Sequence, residues 1–275
     1  METLDSIHLI IKPIFHTINF ELKKQRKKFV IFLIISIVML LLISLLPYAL
    51  IPDTPLPDTQ IEYFNGGVSF LPLTILFAAC FFFSGIICSE FSEKTGYIIF
   101  PKINKYKLIV GKYFGNLILI TTIIALNYLV LGLLGVFSYG ELVDIRLYIS
   151  FGITLFYILA ISSFVTVFSS LLKSVNMTIV ATILILLIGF NIVSSLTTLA
   201  NPDLEPIYSL TYMSNLITSV LNEVFPEIRY TEITQEDFTF RTWLTPTIGT
   251  GIIALAIYTV SCFILAALLF KRKQI

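Results

Sequence analysis

Few residues in this 275-residue chain are equipped for chemistry, and their placement excludes most of it. The two histidines, His8 and His16, both lie in the N-terminal segment. The three cysteines, Cys80, Cys88 and Cys262, fall inside apolar runs. No CxxC or Cys/His spacing occurs, so neither a disulfide framework nor a zinc site is indicated. Gly111-Lys112 invites comparison with a phosphate-cradling loop, but that motif is GxxxxGK[ST]. Here Tyr106 stands at the first glycine position and Tyr113 at the hydroxyl position, and no Walker motif occurs elsewhere. The chain is therefore expected not to be an enzyme and to hold no cofactor of its own. No Asp, Glu, Lys, Arg or His lies in the middle of any long apolar run. Ion-coupled carriers place such groups near the membrane midplane, and an embedded hydrolase also needs them. What remains is neutral: Asn127, Ser162, Thr166, Asn191 and Ser194 are the candidates for a substrate path, with hydrogen bonding between helices as the competing role.

The elements that position these residues follow from composition. Apolar types make up 57% of the chain and charged residues 13%, against about 25% charge in a soluble domain. Mean hydropathy is +0.93. A bilayer core of about 30 Å needs roughly 20 apolar helical residues, and six runs qualify. Trimmed of polar ends, the spans fall near 29–51, 68–89, 113–137, 148–171, 177–200 and 247–270. The expected fold is an all-α membrane protein with a 29–275 six-span domain. Cations set the orientation. With the N-terminus inside, six basic residues precede the first span, five lie in 90–112, Lys173 follows span 4 and three close the chain, leaving only Arg146, Arg229 and Arg241 outside. The expectation is a multi-pass protein of the cell membrane with both termini cytoplasmic.

Three segments outside the spans carry pattern. In 1–28, Leu4, Ile7, Ile11, Ile14, Phe15, Ile18 and Leu22 form one helical stripe, opposite Asp5, Lys12, His16, Asn19 and Lys23. An interfacial helix kinked at Pro13 and anchored by the Lys23–Lys28 cations is expected. Between spans 5 and 6, Ile207, Leu210, Met213, Ile217, Val220 and Val224 recur at helical spacing, the pattern of an amphipathic helix on, or re-entering, the outer membrane face. The loop after span 2 is short and charged, yet holds the apolar patch Tyr97, Ile98, Ile99 and Phe100. Either a partner covers that patch, with Glu90, Glu93, Lys94 and Lys102 as its polar rim, or it dips back into the headgroups. Gly111 and Gly115 form a small-xxx-small pair suited to close packing of span 3.

The run Glu90, Glu93-Lys94-Thr95-Gly96, Pro101 and Leu108-Ile109-Val110-Gly111-Lys112 resembles the cytoplasmic loop of ABC-2 type permeases. The likeness extends over the chain: an N-terminal elbow helix, six spans, an outer helix holding Pro206-Ile207-Tyr208-Ser209, and the basic ending Phe270-Lys271-Arg272-Lys273. It implies the membrane subunit of an ATP-binding-cassette exporter, paired with a second permease subunit and with two copies of a separate ATPase that binds ATP and Mg. It also implies a coupling helix between spans 2 and 3, where Glu90, Glu93, Lys94, Thr95, Gly96, Tyr97, Ile98, Phe100 and Pro101 dock that ATPase. Lipid is the other expected partner, and nothing points to nucleic acid. A scaffold subunit docking a cytoplasmic partner through the same loop is the alternative from another class, and an ion-coupled carrier is the third.

Overall fold

The computed structural model describes residues 2–50, 55–92, 104–222, 224–235 and 238–272. Six helical stretches are long and apolar enough to cross a membrane: Lys12–Tyr48, Gln60–Phe91, Lys105–Tyr139, Ile145–Leu171, Val175–Ala200 and Ile248–Arg272. Each contains or overlaps one of the six sequence-derived spans, because runs of Leu, Ile and Phe must hydrogen-bond their own backbone once water is gone.

The N-terminal segment is not a separate element. Helix α1 runs unbroken from Glu2 to Leu50, about 73 Å at 1.5 Å per residue and far longer than a bilayer core. Pro13 does not end it. The Thr17 hydroxyl donates to the carbonyl of Pro13 at 2.8 Å, and the following Lys/Gln/Arg-rich stretch favours helix. Thr17, Glu21 and Gln25 are buried, whereas Phe15 and Phe20 lie exposed.

The second stretch is jointed into α2 (Gln60–Val68), α3 (Leu71–Phe83) and α4 (Gly85–Ser92). The joint at Ser84 leaves backbone groups to satisfy, and Ser169 does so. Its hydroxyl donates to the Ser84 carbonyl at 2.7 Å and accepts from the amides of Ile87 and Cys88 at 3.0 and 3.2 Å. Helix α5 (Lys105–Tyr139) lies parallel along α1, and α6 (Ile145–Leu171) forms the centre with α3. The fifth stretch is α7 (Val175–Leu184), a π turn over Ile185–Gly189, and α8 (Phe190–Ala200). The last, α10 (Ile248–Arg272), lies along α6.

Gly111 and Gly115 pack as their spacing suggests. A Cβ on Gly111 would meet Thr17 Cβ at 2.6 Å, and one on Gly115 would meet Glu21 Cβ at 3.0 Å. Without side chains there, α5 seats directly on α1.

The connection between α8 and α10 corrects one expectation. Helix α9 (Leu210–Ser219) does form, capped by Ser209, but its apolar face is not offered to lipid. Leu210, Met213, Leu216 and Ile217 are fully buried in the protein. Ser150 of α6 donates to the Ile217 carbonyl at 2.7 Å, and Leu216 packs against Gly251 of α10. A short hairpin is added to the otherwise helical fold. Strands β1 (Tyr230–Gln235) and β2 (Phe238–Trp243) pair antiparallel, with Tyr230 opposite Trp243. Threonine and aromatic residues recur through both, and such side chains suit a pleated surface.

Candidate functional site

The described structure concentrates its ion pairs at the two ends of the bundle. At one end, α1, α4 and α5 converge on Lys112. Its ammonium ion-pairs with Glu90 of α4 and lies 3.6 Å from Glu21 of α1. It also donates to the Ile86 carbonyl at 3.4 Å. All three ionic side chains are at most 5% exposed. One cation thus bridges two carboxylates from two helices in a site that water barely reaches. Removing a single partner from such a group leaves a buried charge uncompensated.

Two aromatic contacts extend this joint. The Phe91 ring meets Phe270 of α10 edge-on at 6.0 Å between centroids, and Lys105 Nζ stands 5.8 Å from the same ring. Residue 91 lies in the last turn of α4 and residue 105 opens α5, so both stems of the 93–103 segment are held against α10 as well as against each other.

At the opposite end, α8, α9 and β2 enclose a polar cavity of about 480 Å³. Asn191, Ser194 and Ser195 line it from α8, Tyr212 and Asn215 from α9, and Arg241 and Trp243 from β2. The π turn immediately precedes these α8 residues, and π turns recur at functional sites. Ion pairs tie the walls. Arg241 meets Asp203 at 2.5 Å and Glu232, and lies over the Tyr230 ring at 4.2 Å. Arg229 meets Glu205 at 2.8 Å, and Tyr212 donates to Glu205 at 3.0 Å. Burial, and then the Glu205 carboxylate beside it, hold the Tyr212 phenol well above its ordinary pKa. It therefore stays a donor.

The sequence-derived candidates divide between these places. Glu90 is buried in the Lys112 joint rather than standing on an exposed rim. Burial pairs its charge, and a rim position would have left Lys112 facing Glu21 alone. Glu93, Lys94, Thr95, Gly96, Tyr97, Ile98, Phe100 and Pro101 lie outside the described residues. Of the five path candidates, only Asn191 and Ser194 reach a cavity together. Asn127 is buried and donates to Ser36 at 2.6 Å and to the Ile123 carbonyl at 2.8 Å, stitching α5 to α1. Ser162 and Thr166 are buried in α6, where Thr166 donates to the Ser162 carbonyl at 2.7 Å. Asn127 thus takes the competing role of bonding between helices, whereas Thr166 bonds within its own helix and the Ser162 hydroxyl is buried without a hydrogen-bond partner.

Sequence reasoning missed Glu21, Tyr212, Asn215, Arg241 and Trp243. Glu21 had a signal: Thr17, Glu21 and Gln25 recur every fourth position, a polar stripe within an otherwise apolar face. Among the described residues, no group of His, Cys, Asp and Glu is arranged to hold a metal ion. Compared with known proteins, the chain matches no protein-family model and no curated protein.

Proposed function

We propose that this chain is the membrane-spanning permease subunit of an ABC-2 type ATP-binding-cassette exporter. In this reading the Lys112 end faces the cytoplasm, and the 93–103 segment docks a separate ATPase that supplies the ATP and Mg. Two permease subunits and two ATPase subunits make the working assembly. One observation carries the reading beyond the loop's sequence: the two stems of the segment are pinned to each other and to two further helices. Glu90 and Lys112 join α4 to α5, Glu21 brings in α1, and Phe270 brings in α10. A loop that only linked two spans would have no use for a buried ionic joint at its base. A loop that receives a push would. Closure of the ATPase dimer moves the segment, and the joint passes that displacement into α1, α5 and α10 together. A two-state packing of the spans is thereby biased between its inward-open and outward-open forms. The polar cavity at the hairpin end lies where cargo would leave, with Asn191 and Ser194 on its wall.

Purified alone, the subunit should neither bind nor hydrolyse ATP. Mixed with an ATPase encoded beside it, it should change that enzyme's hydrolysis rate in proteoliposomes. Specific micromolar ATP binding by the subunit alone would contradict the proposal.

A further inference from the structure

Along the outside of α1 and α3 runs an apolar groove of about 600 Å³. Ile31, Ile35 and Met39 form one wall, and Leu73 and Phe77 the other, with Lys28 at its mouth. From Lys28 to Ile43 it follows α1 for about 22 Å at 1.5 Å per residue, more than one leaflet of a roughly 30 Å core. The two polar residues that line it ask nothing of an occupant. Ser36 accepts from Asn127 at 2.6 Å, and Thr74 donates to the Phe70 carbonyl at 3.3 Å. Phe32 closes the floor against Phe81 and Phe82, at 6.4 and 6.1 Å between centroids. At roughly 30 Å³ per water-sized group, the space holds about twenty methylenes.

The mouth is charged. Lys23, Lys24, Arg26, Lys27 and Lys28 are all exposed. Lys24 and Lys28 continue the helical spacing of Ile31, Ile35 and Met39, so they stand in line with the groove. We infer that this groove is a binding site for an anionic phospholipid, one acyl chain lying between α1 and α3 and the phosphate held by Lys28 and Lys24. A second copy of this chain fits less well. A twofold axis along the membrane normal would bring the same patch to itself, setting five cations against five at one depth. This inference rests on the chain spanning a membrane, not on its partnership with an ATPase.

The test uses the purified subunit in non-ionic detergent, read by native mass spectrometry and thermal unfolding. Phosphatidylglycerol should bind and raise the unfolding midpoint. Phosphatidylcholine of the same chains should bind about tenfold or more weaker, and inorganic phosphate should do nothing. Lys24→Gln with Lys28→Gln should lower phosphatidylglycerol affinity about tenfold or more, towards the phosphatidylcholine level, since each interfacial cation contributes a several-fold factor. Both lysines are exposed, so this variant keeps its fold and decides the matter alone. Ile35→Trp, which fills the groove, should weaken both lipids. Four results would each overturn the inference: equal binding of the two lipids, an equal shift from inorganic phosphate, undiminished phosphatidylglycerol affinity in the Lys24→Gln, Lys28→Gln variant, or an Ile35→Trp variant that loses dimerisation while keeping its lipid affinity.

Discussion

The two ends of this bundle hold their charges in opposite ways. At one, Glu21, Lys112 and Glu90 meet with at most 5% of each side chain exposed. At the other, Arg241 is spread over Asp203 and Glu232, whose side chains are 81% and 40% exposed. Both are one cation between two acids, yet the physics differs. Exposed pairs are screened and contribute about 0–1 kcal/mol, whereas breaking a buried pair costs about 3–5 kcal/mol because the remaining charge has no water. The hairpin end can rearrange its pairs at little cost. The Lys112 end behaves as a single mechanical piece.

The largest expected effect is therefore at Lys112. Lys112→Met should lower stability by about 3–5 kcal/mol, a drop of about 10 °C or more in unfolding midpoint. The triple replacement Glu21→Gln, Lys112→Met, Glu90→Gln should recover most of that loss, because no buried charge is left unpaired. Failure of the triple variant to recover would make shape, rather than charge, the basis of the joint.

Gly111→Leu comes next. A Cβ there already meets Thr17 at 2.6 Å, so the added side chain should force α1 from α5 at about 1–3 kcal/mol. Thermal unfolding reads the loss, and Thr17→Gly should relieve part of it. Smallest is Arg241→Ala, expected to shift stability by less than about 1 kcal/mol. A loss as large as that of Lys112→Met would erase the contrast between the ends.

How much of this was legible beforehand follows from range. The six apolar stretches and the Gly111/Gly115 contact are written in local runs and short spacings, and the structure has both. Lys112 finds Glu90 across a loop and Glu21 across two whole spans, and no spacing rule reaches that far. The helix is continuous across residue 28 for a related reason. The Lys23–Lys28 cluster marks a membrane boundary well, but lysines and arginines are good helix formers, so α1 runs on through it. Around α9 the apolar spacing was read correctly. Its covering was not, because the same stripe serves lipid or protein, and only Ser150 and Gly251 show which. Thr231, Thr234, Thr239 and Thr242 now sit in a hairpin, yet Glu232 and Arg241 sit there too, and the alternation is hidden among polar residues. Asn127, Ser162 and Asn191 are alike in sequence. Tertiary packing alone separates Asn127, which bonds across to α1, and Ser162, which is buried in α6, from Asn191, which lines a cavity.

The account turns on the 93–103 segment being a docking surface whose stems are held by the buried joint. A tagged ATPase encoded beside this chain, co-purified with wild type and with the Tyr97→Ala, Phe100→Ala double variant, tests this most directly. Buried aromatic anchors typically lose about 2 kcal/mol or more each on truncation, so recovery of the ATPase should fall by about tenfold or more. The variant subunit itself should remain folded. Equal recovery with both would contradict the account and leave the apolar patch to the lipid.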